Sequence, residues 1–186
     1  MKNNLVKTIA ATVIGAVLFF VLGRFISVPL GISGTYISLQ YGLLAFISAI
    51  YGPIAGMLTG LIGHFFIDFK GSIPDVCWSW VIASSFFGCM TGFMTRKYTL
   101  ADGEFSKHDA SGFNISQALA HLLAWVLIAP VLDIVLNSEP VKKVFLQGLA
   151  VAGVNIVTTC VVGTLLLFVY AAFKPKKGSL KNKKDF

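Results

Sequence analysis

YISLQYGLLAFISAIYGPIAGMLTGLIGHFFID, residues 36–68, decides the fold. From Gly31 to Ile67 the chain carries no Asp, Glu, Lys or Arg, and His64 is the one polar ring with a nitrogen base. A water-exposed helix needs polar groups along its outer face, and this stretch has too few to cover one. A second run, Val76–Thr95, is also free of Asp, Glu, Lys and Arg. Segments of this kind match a hydrocarbon core, which a helix crosses in about 20 apolar residues.

The same pattern continues in both directions. The apolar stretches predict six helices: about 5–26, 36–50, 53–69, 75–94, 114–136 and 141–173. Tyr51-Gly52-Pro53 breaks the second from the third, with Pro53 suited to the first helical position. The segment Ser27–Thr35 is a Gly/Pro/Ser loop. Residues 95–112 form the longest polar interruption. The expectation is an all-α integral membrane bundle of six transmembrane helices (residues 1–173) with a Lys-rich tail (174–186). Three cysteines, Cys77, Cys89 and Cys160, are scattered without a CxxC pair and read as small packing residues.

Composition supports this reading. Only 12% of the 186 residues are charged, against roughly 25% in a soluble domain. The net charge of +7 does not mark a nucleic-acid binder, because the basic residues do not interleave with aromatics on a folded module. They gather at helix ends and in the tail, where membrane lipid headgroups attract them. Eleven of the fifteen Lys and Arg residues fall on the side of the termini and four (Arg24, Lys70, Lys142, Lys143) on the other. By the positive-inside rule both termini are cytoplasmic.

Polar groups at membrane depth are functional candidates by default. Most of them fall on the side opposite the tail. His64 and Asp68 share a helix face at i and i+4. Tyr36, Gln40 and Tyr41 open the second helix, Asp75, Trp78 and Trp80 the fourth, Gln147 and Asn155 lie on the last, and Asp133 comes late on the fifth. These groups could line one outward pocket, and Tyr36, Gln40, His64, Asp68, Trp78, Trp80, Gln147 and Asn155 are the eight site candidates. For Tyr36, Trp78 and Trp80 an interfacial belt is the competing reading. For Asn155 it is an interhelical hydrogen bond, and for Asp133 solvation among headgroups. His121 and Trp125 read as packing residues. Gly52, Gly56, Gly60 and Gly63 form a small-residue stripe, read as packing against the second helix. Ala11, Gly15 and Ala16 form another on the first helix, of the kind that lets a partner helix approach closely. There is no GxxxxGK[ST] loop, so any ATP must be used by another chain. No metal set or other cofactor site is legible.

Taken together, the small-residue first helix, AVLFFVLGRF (16–25), YGPIAG (51–56), Ile62-Gly63-His64 and WSWVIAS (78–84) resemble the substrate-binding S components of energy-coupling factor (ECF) vitamin transporters. The likeness covers residues 5–173 and is nearest to hydroxymethylpyrimidine S components. It implies a multi-pass protein of the bacterial cell membrane without catalysis of its own. It implies a vitamin-like ligand held near the outer face under a lid, here Ser27–Thr35. It also implies docking through Ala11, Gly15 and Ala16 on a transmembrane coupling subunit, powered by two ATPase subunits, and a toppling motion that releases the ligand inside. A stand-alone secondary transporter or channel is the alternative, and a membrane enzyme using His64 and Asp68 the third. The former calls for broken or charged helices at the midplane and repeated halves, and neither is visible.

Overall fold

The structure, a computed structural model, describes residues 2–31, 35–97 and 105–174. Most of the Lys-rich tail and the centre of the long polar interruption lie outside the described residues. Helix α1 (Lys2–Phe25) leads into a short ribbon of β1 (Val28–Pro29) and β2 (Tyr36–Ile37). Then come α2 (Gln40–Tyr51), α3 (Pro53–Asp68), and α4 (Trp78–Met94) with a 3-10 extension, Thr95–Lys97. Helix α5 (Lys107–Leu122), a π-helical turn (Leu123–Ile128) and α6 (Ala129–Asn137) form one continuous rod. Helix α7 (Val141–Phe173) closes the bundle. The chain is therefore an all-α bundle of six rods, as expected, apart from the two-residue strands.

Three boundaries differ from the sequence reading, each for a local reason. The second helix starts at Gln40 rather than Tyr36, because Tyr36 and Ile37 pair antiparallel with Pro29 and Val28. The Leu30 N–H donates to the Thr35 carbonyl at 3.0 Å and closes the ribbon. The fifth helix starts at Lys107 rather than Asn114. Ser106 accepts the Asp109 N–H through its hydroxyl (3.2 Å) while Asp109 accepts the Ser106 N–H (2.9 Å), a reciprocal cap that satisfies two otherwise orphaned donors. The fourth starts at Trp78, preceded by a 3-10 turn at Ile73–Asp75.

Three helical stretches are long and apolar enough to cross a membrane: Leu5–Phe25, Lys107–Asn137 and Val141–Phe173. Helix α2 has 12 residues and rises only about 18 Å. It sits among α1, α3, α4 and α7, and its Tyr41, Leu44, Ala45 and Ile47 are buried. Surrounded by other rods, it need not match the hydrocarbon thickness by itself. Lipid is met instead by exposed apolar side chains such as Val13 and Val17 on α1, Leu127 on the fifth rod, and Val157 and Val161 on α7.

Apolar burial alone does not hold such a bundle, since lipid tails solvate Leu and Val as well as a protein core does; close packing and interhelical hydrogen bonds take over. The closest packing is between α3 and α4. A Cβ placed on Gly60 would lie 2.5 Å from the Ser84 carbonyl oxygen, and Cβ atoms on Gly56 and Gly88 would each overlap the other's backbone. The glycine stripe of α3 thus faces α4 at Gly60, both α4 and Ser48 of the expected α2 at Gly56, and the Phe19 ring of α1 at Gly63. Gly52, at φ 89°, makes the break between α2 and α3 that an L side chain would resist.

The small-residue set of α1 is partly used within the bundle. Gly15 faces Ile47 of α2 and Thr59 of α3, and Ala16 is buried at 5% exposure. Ala11 is half-buried. Gly15 and Ala16 let α1 approach its own bundle. Several buried hydroxyls are satisfied locally: Ser48, Thr95 and Ser116 donate to carbonyls four residues back at 2.7–2.8 Å, which suits hydrocarbon surroundings. Cys77, Cys89 and Cys160 are free and half-buried.

Gly88→Ala should lower the stability of the full chain in detergent by about 1–3 kcal/mol, the usual cost of overpacking. Gly153, whose Cβ would meet open space, serves as the control, and Gly153→Ala should be neutral or slightly stabilising. Thermal or denaturant unfolding followed by helical circular dichroism measures both.

Candidate functional site

A cavity of about 470 Å³ opens at the end of the bundle opposite the chain termini, and every rod contributes to it. Tyr36 and Ser38 of the ribbon segment form one wall beside Gly23 and Arg24 of α1. Gln40 and Tyr41 enter from α2, His64 and Asp68 from α3, Trp80 from α4, and Asp133 and Asn137 from α6. Helix α7 contributes a stripe of Lys143, Val144, Gln147, Val151 and Asn155, the three-and-four spacing of one helix face. From Lys143 to Asn155 that stripe descends about 18 Å at the helical rise, so the cavity is deep as well as open.

Seven of the eight predicted residues meet here: Tyr36, Gln40, His64, Asp68, Trp80, Gln147 and Asn155. Trp78 does not. It is 42% exposed and leans on Phe65 with ring centroids 5.9 Å apart. Two residues further along, Trp80 turns about 200° around α4 and reaches the cavity instead. The belt reading is the one that fits Trp78.

The α3–α4 contact organises the inner wall. Ser84 Oγ lies 2.6 Å from His64 Nδ1 and 2.8 Å from the Tyr41 hydroxyl, which is itself 3.3 Å from His64 Nδ1. His64 Nε2 is 3.9 Å from Asp68 Oδ2, too far for a hydrogen bond. Asp68 Oδ2 accepts the Cys77 N–H at 3.2 Å. The pair thus keeps hydrogen-bonding capacity facing the cavity. At the rim Lys143 donates to Glu139 at 2.7 Å, while Arg24 and Lys70 act on Asp68 through space.

Gln40 is 7% exposed, and its Oε1 has no hydrogen-bond partner among the described residues. The amide is seated against Gly23, where any Cβ would collide with it. Ser38 fastens the ribbon to this corner. Its hydroxyl accepts the Gln40 N–H at 3.3 Å and donates to the Leu22 carbonyl at 3.4 Å.

Asp133 is the largest surprise. The sequence places it near the end of a helix, where headgroup water would solvate it. The structure leaves it 6% exposed. It accepts from the Ser79 hydroxyl, from Asn137 Nδ2 at 3.1 Å and from Trp80 Nε1 at 3.2 Å. The i, i+4 pair Asp133/Asn137 was a visible signal; the partners on α4 were not. Tyr41 is legible as a polar group at the start of the second helix, but its contacts with Ser84 and His64 are not. Deeper in the bundle His121 and Trp125 are packing residues. Trp125 Nε1 donates to His121 Nδ1 at 3.2 Å, so His121 donates through Nε2 to Thr159 at 3.0 Å.

A cavity fed by all the rods of an apolar helix bundle, in a chain without a nucleotide loop, fits a membrane-embedded ligand-binding component. The chain belongs to the ECF-type riboflavin transporter S component family, whose model matches residues 3–172. It is similar to a UPF0397 protein of Staphylococcus aureus (strain bovine RF122 / ET3-1), 46% identical over 178 residues that cover 96% of each chain. A UPF0397 protein of the Newman strain is 46% identical over 176 residues, 95% of each chain. No solved structure matches. The family consists of substrate-binding subunits of transporters, not enzymes, and works with a membrane coupling subunit and ATPases.

Tyr41→Phe removes one member of the Tyr41–Ser84–His64 cluster and should cost about 1 kcal/mol of stability. His64 and Ser84 keep each other satisfied in that variant. Denaturant unfolding in detergent measures the loss.

Proposed function

We propose that this chain captures a small nitrogen heterocycle of the vitamin class on the outer side of a bacterial cell membrane and delivers it to a coupling subunit driven by two separate ATPases. The cavity carries the reading. Its 470 Å³ lies within the range of small-molecule sites. Trp80, Tyr36 and Tyr41 offer aromatic surface, and amides at Gln40, Gln147 and Asn155 offer directional donors and acceptors at three depths. Hydroxymethylpyrimidine is the first ligand and a pyridoxine-type vitamer the second. Riboflavin is a further candidate, on the strength of the family to which the chain belongs.

The β1–β2 ribbon serves as lid, since Tyr36 and Ser38 already wall the cavity. Both termini are cytoplasmic, with the cavity mouth outside. Release inside follows a toppling of the docked subunit. The docking surface uses exposed positions other than Gly15 and Ala16, whose contacts are internal. A channel or stand-alone secondary transporter would move solute in proteoliposomes without ATPase partners. Catalytic uptake by the purified chain alone would overturn the capture reading.

Mass spectrometry of co-purifying small molecules, followed by titration of hydroxymethylpyrimidine, pyridoxine and riboflavin, identifies the ligand. For the ligand that binds, Asn155→Leu and Gln147→Ala should each weaken affinity by about tenfold or more, the scale of one lost buried hydrogen bond. Trp78→Phe should change it less than about twofold. Isothermal titration calorimetry separates these outcomes. In a Cys77→Ser background, Ser72→Cys should react with an impermeant maleimide on intact cells and Lys107→Cys should not. The reverse pattern would invert the topology.

A further inference from the structure

We propose that Asp133 is a positioning residue for ligand capture: it fixes the Trp80 indole as a rigid aromatic wall of the cavity, against which a flat ring stacks. The stacking half rests on the capture reading above; the positioning half stands without it.

The carboxylate is buried yet lies on the cavity wall, and its two oxygens divide their work. Oδ1 takes the Ser79 hydroxyl and Asn137 Nδ2, and Oδ2 takes Trp80 Nε1 at 3.2 Å. Cys77 Sγ adds a longer contact at 3.9 Å. An indole N–H can only donate, and an ionised carboxylate can only accept. Three donors converge on one point, so an acceptor-only group suits it. An asparagine amide, isosteric with Asp, would turn its own NH₂ against at least one of them. Asp68 makes the contrast. One protein donor reaches it within hydrogen-bonding distance, the Cys77 N–H, so it keeps acceptor capacity that Asp133 has committed.

The indole is gripped on its other edges too. Trp125 meets it at 5.3 Å and 60°, and His64 at 6.4 Å and 68°. Edge-on neighbours of this kind hold a ring by its rim, leaving the remaining surface of Trp80 to line the cavity. A tryptophan near a helix start normally samples several rotamers. Here one hydrogen bond and two ring contacts select a single one before any ligand arrives, which lowers the ordering cost of binding.

The fold aims Asp133 deliberately. The π-helical turn Leu123–Ile128 precedes it in the same rod. A π turn inserts one extra residue, which rotates everything downstream by about 100° around the axis. In an uninterrupted α-helix Asp133 would lie about 100° around the axis from its present direction. Pro130 follows the turn and cannot donate to the preceding carbonyls. Gly148 of α7 accommodates the turn, because any Cβ there would overlap the Trp125 carbonyl. The turn, Pro130 and Gly148 therefore serve the register of one carboxylate.

The test uses the full chain in lipid nanodiscs. A ¹⁵N indole spectrum resolves the tryptophans, with Trp80→Phe assigning the Trp80 signal. Asp133→Asn should shift the Trp80 N–H resonance and speed its solvent exchange at least about tenfold, while the Trp125 signal stays in place. An unmoved Trp80 resonance would overturn the proposal. Hydroxymethylpyrimidine, pyridoxine and riboflavin serve as binding probes. For any that binds, Asp133→Asn should weaken affinity about tenfold, but less than twofold in a Trp80→Phe background. Equal losses in both backgrounds would show that Asp133 does not act through Trp80 and would sink the idea. If none of the three binds, the capture reading fails for these ligands and the resonance alone decides the positioning. Should Asp133→Asn fail to fold, Asp133→Glu replaces it; failure of both would make Asp133 a residue of the fold and overturn the proposal.

Discussion

Helices α3 and α4 lie backbone against backbone, with Gly56 and Gly60 on one side and Gly88 and Ser84 on the other. The rest of the site depends on that contact. His64 is one turn beyond Gly60, so the same approach that seats Gly60 on the Ser84 carbonyl brings the Ser84 hydroxyl within 2.6 Å of His64 Nδ1. A side chain between the helices would separate those groups and release Tyr41 as well. In lipid, where apolar burial between helices gains little, van der Waals contact at this range is the main attraction available. Glycine supplies it at some cost in helix propensity.

A second constraint acts on the polar groups. Within hydrocarbon an unsatisfied donor or acceptor is costly, and most buried hydroxyls here bond back to their own helix or across to a neighbour. Among the described residues Thr35 Oγ1, Thr91 Oγ1 and Gln117 Oε1 lack a partner away from the cavity, and the cavity adds its own. Gln40 Oε1 lacks a partner among the described residues, and the His64–Asp68 gap of 3.9 Å is left open. Asp133, by contrast, is fully engaged. The site thus mixes groups already committed to its architecture with groups still able to meet a ligand.

Much of this was legible along the chain. The uncharged runs fixed the membrane class, and the Gly52-Pro53 break and the polar interruption at 95–112 divided the rods. The clustering of His64, Asp68, Gln147 and Asn155 toward one end of the bundle was readable from helix ends alone. Local chemistry that spans few residues escaped. The ribbon at Tyr36–Ile37 depends on pairing with Val28–Pro29, and the early start of α5 on the Ser106–Asp109 cap. A hydropathy pattern registers neither, because both are hydrogen-bonding choices among a few polar atoms.

By itself the sequence determined that this chain lives in a bilayer, where its rods run, and which end collects the polar residues. Those are consequences of composition and order, since hydrocarbon sorts side chains by transfer free energy. Tertiary structure decided which face of each rod turns inward. It turned Gly15 toward α2 and α3, Gly60 toward α4 and Gly56 toward both α2 and α4, with Trp78 outward and Trp80 inward. It also buried Asp133 among donors from another helix. The reason is rotational. Small residues and short polar ones look alike on any face of a helix, and only the packing of neighbouring rods, shifted here by a π turn, fixes the angle at which each is presented.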